Sequence, residues 1–523
     1  MQTRTTPPQN ERQTFKIPQW MIWIMIALVF MAIGFSGVTL TKYPISFVDE
    51  GWFSNSAWNW IVNGVHFDTM HAGPLDQYGY EWLRRNILAE GVWSLGFMIL
   101  GVGFAQARFI AWIIGLGVLG LTFLIAHRLY DLPTALLTVL LLAISEPFLR
   151  AAHFARQDGL LALFGLMGFG FGAYALQTRR WWAHIIGAFV VGFSINIHQN
   201  GVTYVLGYAC MYLIHYGRAL LLQRDAWLAA FSGALGAMTF LFLHIFPNPD
   251  VYFRTLSINL MYTHPVPILQ LSSIPISIWR EIITTYDFDH KFIALFLIGS
   301  GGLTLLLQRS TADRQLLAFV GGSWLGFVLL IGNKLFLYAI LLYPFMMFIV
   351  AAGATHLLQK FSRADQWRVR YVIAAAICIL IVNDTVFAAH KYSLHREYDY
   401  NAIIEKFRTV IPPGARVMGL PSWWFGFIND EYQSNFTINF YKHLNGLTFD
   451  ESMTLLRPDY FIEDFIVTEL LVDENDPIPT IEIASPIPRP AYEAMLAKRG
   501  ALVLEFEDRW HGKFRVYTLN WNE

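Results

Sequence analysis

Two adjacent acids, Asp49 and Glu50, lie at the centre of the stretch Ile45–Trp58, close behind the apolar run Trp20–Leu40. In a strand two neighbours point to opposite faces, and in a helix they diverge by about 100°. One carboxylate can therefore face a cavity while the other anchors the chain. Asp49 reads as a general base that takes a proton from an incoming hydroxyl or amine. The competing reading is an acid capping a helix at a membrane interface. A second acid, Asp158, closes the turn Arg150–Asp158 just before another apolar run. It either faces the same cavity as Asp49 or caps its helix while Arg156 pairs with it. A third group opens a late apolar run, Asn333-Lys334-Leu-Phe-Leu-Tyr338. Lys334 and Tyr338 are four apart and would share a helix face. A cation and a phenol near the positive end of a helix suit a phosphate. Alternatively, Lys334 snorkels to the interface and Tyr338 joins an aromatic belt.

The histidines His66, His71, His153, His198 and His264 invite a metal reading, but no spacing among them matches a ligand pattern. The sequence specifies no certain cofactor, and a divalent metal is allowed but not indicated. His198 could hydrogen-bond a sugar or phosphate, with a structural role as the alternative. The two cysteines, Cys210 and Cys378, each lie inside an apolar run, so neither a disulfide framework nor a cysteine metal site is expected.

The elements that position these groups follow from composition. Of 523 residues, 55% are hydrophobic and 14% charged, against about 25% charged in soluble domains. With repeated apolar runs this implies an α-helical polytopic membrane protein. Net charge is -1, so no overall field points to nucleic acid. Eleven spans are expected: Trp20–Leu40, Ala107–Ala126, Pro133–Leu149, Gly159–Leu176, Ala183–Ile197, Val202–Ile214, Trp227–Phe246, Phe292–Leu307, Leu316–Ile331, Phe336–Leu358 and Tyr371–Ala389. Gly91–Phe104 is too short and glycine-rich for a crossing and reads as interfacial or re-entrant.

With a cytoplasmic N-terminus, Arg128, Arg179, Arg180, Arg218, Arg309 and Lys360 fall in cytoplasmic loops. The Asp49 loop, which runs on through Pro74, Asp76, Tyr78, Tyr80 and Trp82, then lies outside. So do the Arg150–Asp158 turn, the Pro247–His290 loop with Asp287, and the turns at His198 and Lys334. Residues 1–389 form the membrane domain. Residues 390–523 are charged and proline-rich and read as a small extracytoplasmic α/β domain. Strands are expected at Ala415–Leu420, Phe436–Phe440, Asp459–Phe465, Ala501–Phe506 and Phe514–Leu519, with helices at Tyr400–Val410, Phe449–Leu456 and Ala491–Arg499.

An acid pair after the first span, an Arg-x-Asp turn after the third, and Lys-x-x-x-Tyr opening a late span resemble the GT-C superfamily of membrane glycosyltransferases. The likeness is to its protein-mannosyltransferase and aminoarabinose-transferase branch, over roughly Trp20–Ala389. Phe104-Ala-Gln-Ala-Arg108 is similar to that family's arginine-bearing entry to the second span, while His198-Gln-Asn-Gly201 stands where many relatives carry a lysine. The resemblance implies a polyprenyl-phosphate-linked sugar donor, a lipid, glycan or protein acceptor, and a single displacement that inverts the anomeric carbon. It implies Asp49 as base and Glu50 and Asp158 shaping the acceptor pocket. Lys334 and Tyr338 would take the donor phosphate, with Arg108 and Arg156 as further candidates. It also implies a bacterial inner membrane. The rival class is a transporter or flippase, which often carries inverted repeats and mid-membrane ionisable groups. No repeat is seen here, and the acids cluster at one face. A non-catalytic sensor with a ligand-binding outer domain would not need eleven spans.

Overall fold

The computed structural model describes residues 18–64, 66, 68–71, 86–253, 256, 266–286, 291–361, 366–472 and 487–521. Pro74, Asp76, Tyr78, Tyr80, Trp82, His264 and Asp287 lie outside them. The chain is mainly helical. Its first ten α-helices are α1 (Gln19–Thr39), α2 (Val48–Asn63), α3 (Ile87–Leu100), α4 (Phe104–Leu129), α5 (Leu132–Ala143), α6 (Glu146–His153), α7 (Asp158–Thr178), α8 (Trp181–Phe193), α9 (Val202–Tyr216) and α10 (Arg224–Phe240). Helices Lys291–Gln308, Thr311–Leu330, Tyr343–Lys360 and Trp367–His395 complete the bundle.

Among the described residues, seven helices are long and apolar enough to cross a bilayer, eight if the bent pair α5–α6 is one span. The expected span Pro133–Leu149 is that pair, broken by 67°. Ser145 caps α6 through its hydroxyl and Pro147 sits in the first turn, so the sequence starts a new helix there. The expected span Phe336–Leu358 is also divided, into a 3₁₀ helix Phe336–Leu341 and an α-helix from Tyr343 with Pro344 in its first turn. Helix α3 ends at Gly101, and its apolar residues Leu95, Met98 and Ile99 are exposed.

Beyond His395 lies a five-stranded mixed sheet of order β2-β1-β3-β7-β6. Its strands are β1 (Arg416–Gly419), β2 (Glu431–Ser434), β3 (Tyr460–Glu463), β6 (Gly500–Asp508) and β7 (Gly512–Leu519), while β4 (Leu471–Val472) and β5 (Ile487–Pro488) pair separately. β1 runs parallel to β2 and β3, and β7 is antiparallel to β3 and β6. Four of the five expected strands form. Phe436–Phe440 does not, because Thr437–Asn445 is helical there. Ile438 and Tyr441 are both buried, and their spacing of three is a helix face rather than a pleat. β2 was not expected. Its sequence, Glu-Tyr-Gln-Ser, has too little apolar content to signal a strand.

This C-terminal sheet region packs against α2 and the segments that flank it. The Lys42 ammonium donates to the Tyr398 carbonyl at 2.7 Å, and the Ser434 amide donates to the Met70 carbonyl at 2.8 Å. A Cβ built on Gly51 would overlap the carbonyl oxygen of Pro421. Glycine is what lets the two backbones meet at that point.

Candidate active site

Helix α2 starts at Val48, one residue before the acid pair, and gives its two members different fates. Phe47 is the N-cap, and Glu50, three residues on, reaches back to accept from the Phe47 amide at 2.8 Å. This is the carboxylate half of a capping box. Glu50 is 1% exposed. The Arg108 guanidinium grips it from α4, Nε to Oε1 at 2.9 Å and Nη2 to Oε2 at 2.8 Å, and the Ala155 amide adds a bond at 3.1 Å. Arg108 also donates to the carbonyls of Leu40, Pro44 and Ile45. All five of its N–H groups are used. Arg108 therefore cannot take a donor phosphate as expected from sequence, and Glu50 cannot wall an acceptor pocket. Together they bind the α1–α2 turn to α4 and to the α6–α7 turn.

Asp49 faces the other way. Its side chain keeps about a quarter of its surface, and it pairs with Arg156. Arg156 is buried and also donates from Nε to Asp158 Oδ2 at 2.8 Å. One guanidinium thus joins two carboxylates from different segments, with the rings of Phe47 and Phe53 on its flanks. Asp158 is 2% exposed, and its Oδ1 has no hydrogen-bond partner. It stands in the first turn of α7, but the structure records no side-chain cap there.

Tyr338 is buried within electrostatic reach of Arg156 and Asp158, and its hydroxyl bonds to Asn200. His198 packs on the Tyr338 ring at 5.6 Å between centroids and accepts from the Asn200 amide through Nδ1 at 3.1 Å. Four separate segments therefore contribute to one cluster: Asp49, the Arg156–Asp158 turn, the His198–Asn200 turn and Tyr338. Asp158 Oδ1 is a buried acceptor within this cluster. A buried acceptor costs free energy unless a donor satisfies it.

Lys334 is placed differently from the sequence expectation. It precedes the 3₁₀ helix rather than sharing a face with Tyr338. Its ammonium donates to the Phe327 carbonyl and pairs with Glu281 at 3.2 Å. Glu281 lies in a one-turn π-helix, Glu281–Thr285, and is fully buried with Oε1 unpartnered. Burial raises the Glu281 carboxyl and lowers the Lys334 ammonium, and their mutual attraction opposes both shifts. His153 is structural. It bonds Ser36 at 2.8 Å and the Tyr43 carbonyl at 2.5 Å, with no exposed surface. His71 bonds Asp68 at 2.6 Å beside Trp52, and its Nε2 is unpartnered. Sequence reasoning missed Asn200, Glu281 and the Asp68–His71 pair. Only the last had a usable signal, an Asp three residues before a His. Among the described residues, no group of three or more His, Cys, Asp or Glu is arranged to hold a metal.

Residues 87–243 match the family model described as dolichyl-phosphate-mannose-protein mannosyltransferase. The fold agrees with that of ArnT from Cupriavidus metallidurans bound to undecaprenyl phosphate, with TM-score 0.61, 14% identity and coverage of 94% of this chain and 98% of that one. The chain has the GT-C fold. The archaeal oligosaccharyltransferase AglB from Archaeoglobus fulgidus, in complex with an inhibitory peptide and a dolichol-phosphate, shares it with TM-score 0.55 and 13% identity, over 97% of this chain and 75% of that one. Comparison with curated protein sequences gives no match. The family model matches part of the membrane bundle, and the solved structures share the fold along most of the chain.

Proposed function

We propose that this GT-C chain transfers a sugar from a polyprenyl-phosphate donor to an acceptor on the extracytoplasmic face of a bacterial inner membrane, with inversion. The observation that carries the reading is the division of labour at α2. Glu50 is consumed by Arg108, whereas Asp49 keeps exposed surface beside Arg156, Asp158 and Tyr338. In this reading Asp49 removes the acceptor proton as the anomeric carbon is attacked. Phosphate leaves without needing a strong acid, so the remaining task is to stabilise its charge. Arg156 suits a phosphate through its planar fork, and Tyr338 adds a hydroxyl donor beside it. Asp158 holds Arg156 in place. Lys334 joins the phosphate site only if the donor draws it from Glu281. A lipid-linked donor keeps its tail in hydrocarbon and presents its phosphate at the surface, which fits a site built where helix ends meet. ArnT and AglB were solved with polyprenyl or dolichol phosphates, and that chemistry supports the same donor class here.

The test uses purified protein in lipid nanodiscs with a panel of undecaprenyl-phosphate sugars and mixed glycolipid, glycan and peptide acceptors. Sugar transfer and release of undecaprenyl phosphate are measured by mass spectrometry. Transfer by wild type and its loss in Asp49→Asn support the reading. An Asp49→Asn variant as fast as wild type refutes the base. Vesicle uptake of a sugar without a glycosyl product favours a transporter.

A further inference from the structure

The C-terminal sheet region holds the chain on both sides of the acid pair. On one side is Gly51, backed by the Pro421 carbonyl. On the other is Ser46, three residues before Asp49. Its amide donates to the Tyr398 hydroxyl at 3.2 Å, and its hydroxyl lies 3.4 Å from His511 Nε2. His511 stands in the turn between β6 and β7, and its Nδ1 is 3.0 Å from Asp508 Oδ1. That oxygen also accepts the amides of Trp510 and His511 at 3.0 and 2.9 Å, so the carboxylate is fixed by the turn itself. With Nδ1–H donating to Asp508, Nε2 is left to accept the Ser46 hydroxyl. The Trp423 and Tyr398 rings enclose the imidazole at 5.0 and 5.5 Å. Ser, His and Asp in this order are the groups of a hydrolytic triad, but Ser46 is 9% exposed and His511 3%. A nucleophile so enclosed has no room for a substrate carbonyl, and a positioning role remains.

We propose that His511, oriented by Asp508, is a positioning residue that fixes Ser46 and hence the start of α2, so that the C-terminal sheet region sets where Asp49 stands. This rests on the transferase reading, because Asp49 is what α2 delivers. A substrate-free measurement keeps the two separable. Hydrogen exchange is followed by mass spectrometry in full-length wild type, Ser46→Ala, His511→Ala and His511→Gln in nanodiscs. Gln places an amide near the Nε2 position. Amides of residues 47–54 are expected to exchange at least tenfold faster in Ser46→Ala and His511→Ala, with β1, β3 and β7 unchanged and His511→Gln near wild type. Unchanged exchange at 47–54 overturns the proposal. So does acceleration throughout the sheet, since His511 would then hold only its own domain. With an undecaprenyl-phosphate sugar that wild type turns over, His511→Ala should lower kcat about tenfold and leave donor KM within twofold. A raised KM at unchanged kcat also overturns it. If no sugar is turned over, the exchange result still decides.

Discussion

Arg108 and Glu50 form a two-point ion pair, Nε to Oε1 at 2.9 Å and Nη2 to Oε2 at 2.8 Å, with no exposed surface on the guanidinium. Removing one partner of such a pair strands a buried charge, at a cost of about 3–5 kcal/mol. The two acids should therefore respond oppositely to neutralisation. Glu50→Gln and Arg108→Met should each lower the unfolding temperature by several degrees in detergent. Asp49→Asn should leave it nearly unchanged and lower transfer by at least a hundredfold. Thermal unfolding measured alongside turnover separates the two. An Asp49→Asn protein that melts early but keeps its turnover would reverse the assignment of base and anchor.

The buried pair Lys334–Glu281 makes a second contrast. Lys334→Ala leaves the Glu281 carboxylate without its cation, so stability should fall by roughly 3–5 kcal/mol. Adding Glu281→Gln removes the stranded charge and should recover most of that loss. Donor saturation in the stable double variant then reports on phosphate contact. An unchanged donor KM assigns Lys334 wholly to the fold, and a raised one returns it to the donor.

Most of the bundle is legible in the sequence because hydrocarbon thickness imposes a long apolar run that few other structures need. The same reasoning puts Asp49 shortly after the first apolar run. The sequence does not reveal which of two adjacent acids is anchored. That depends on Arg108, 58 residues away, and on a capping box whose N-cap is a phenylalanine rather than a serine or threonine. Lys334 and Tyr338 read as a helical pair because their spacing is four. Pro344 starts the α-helix only at Tyr343, and the tighter 3₁₀ turn before it excludes Lys334. The His198–Asn200–Tyr338 cluster was half visible. His198 reads from the sequence as a hydrogen-bonding candidate, but Asn200 carries no signal until its partner from a distant segment is seen. The Ser46–His511 contact joins residues 465 apart, a distance over which no local pattern informs.

Gly51 gives a prediction about how the two parts of the molecule meet. A methyl group there would overlap a backbone oxygen, which no side-chain rotation can relieve. Gly51→Ala should move the Pro421–Gly426 turn away from α2, lower the unfolding temperature and reduce turnover together. Pro421→Ala leaves the carbonyl in place and should not rescue it. Hydrogen exchange at Leu420–Phe427 is the direct readout, and wild-type protection there in Gly51→Ala would show that the contact does not hold the domains together.

The C-terminal sheet region also carries a pH signature. Asp464 is 1% exposed, and burial pushes its carboxyl up to about 6, against stabilising bonds from Trp423 Nε1 at 3.0 Å and the Val467 amide at 3.1 Å. A carboxyl whose folded pKa is raised binds its proton more tightly folded than unfolded. Its contribution to stability is therefore fully present below the unfolded value near 4 and is lost as pH rises through 6. The shift of about two units corresponds to about 3 kcal/mol. Asp508 and Asp459 have lowered carboxyls and act with the opposite sign, so the net curve mixes them. The difference between wild type and Asp464→Asn isolates the one group. Wild-type stability minus that of Asp464→Asn, from denaturant titrations followed by tryptophan fluorescence, should fall between pH 4 and pH 7. A flat difference would mean that Asp464 ionises inside the domain at no cost, and that its site is wetter than its surroundings indicate.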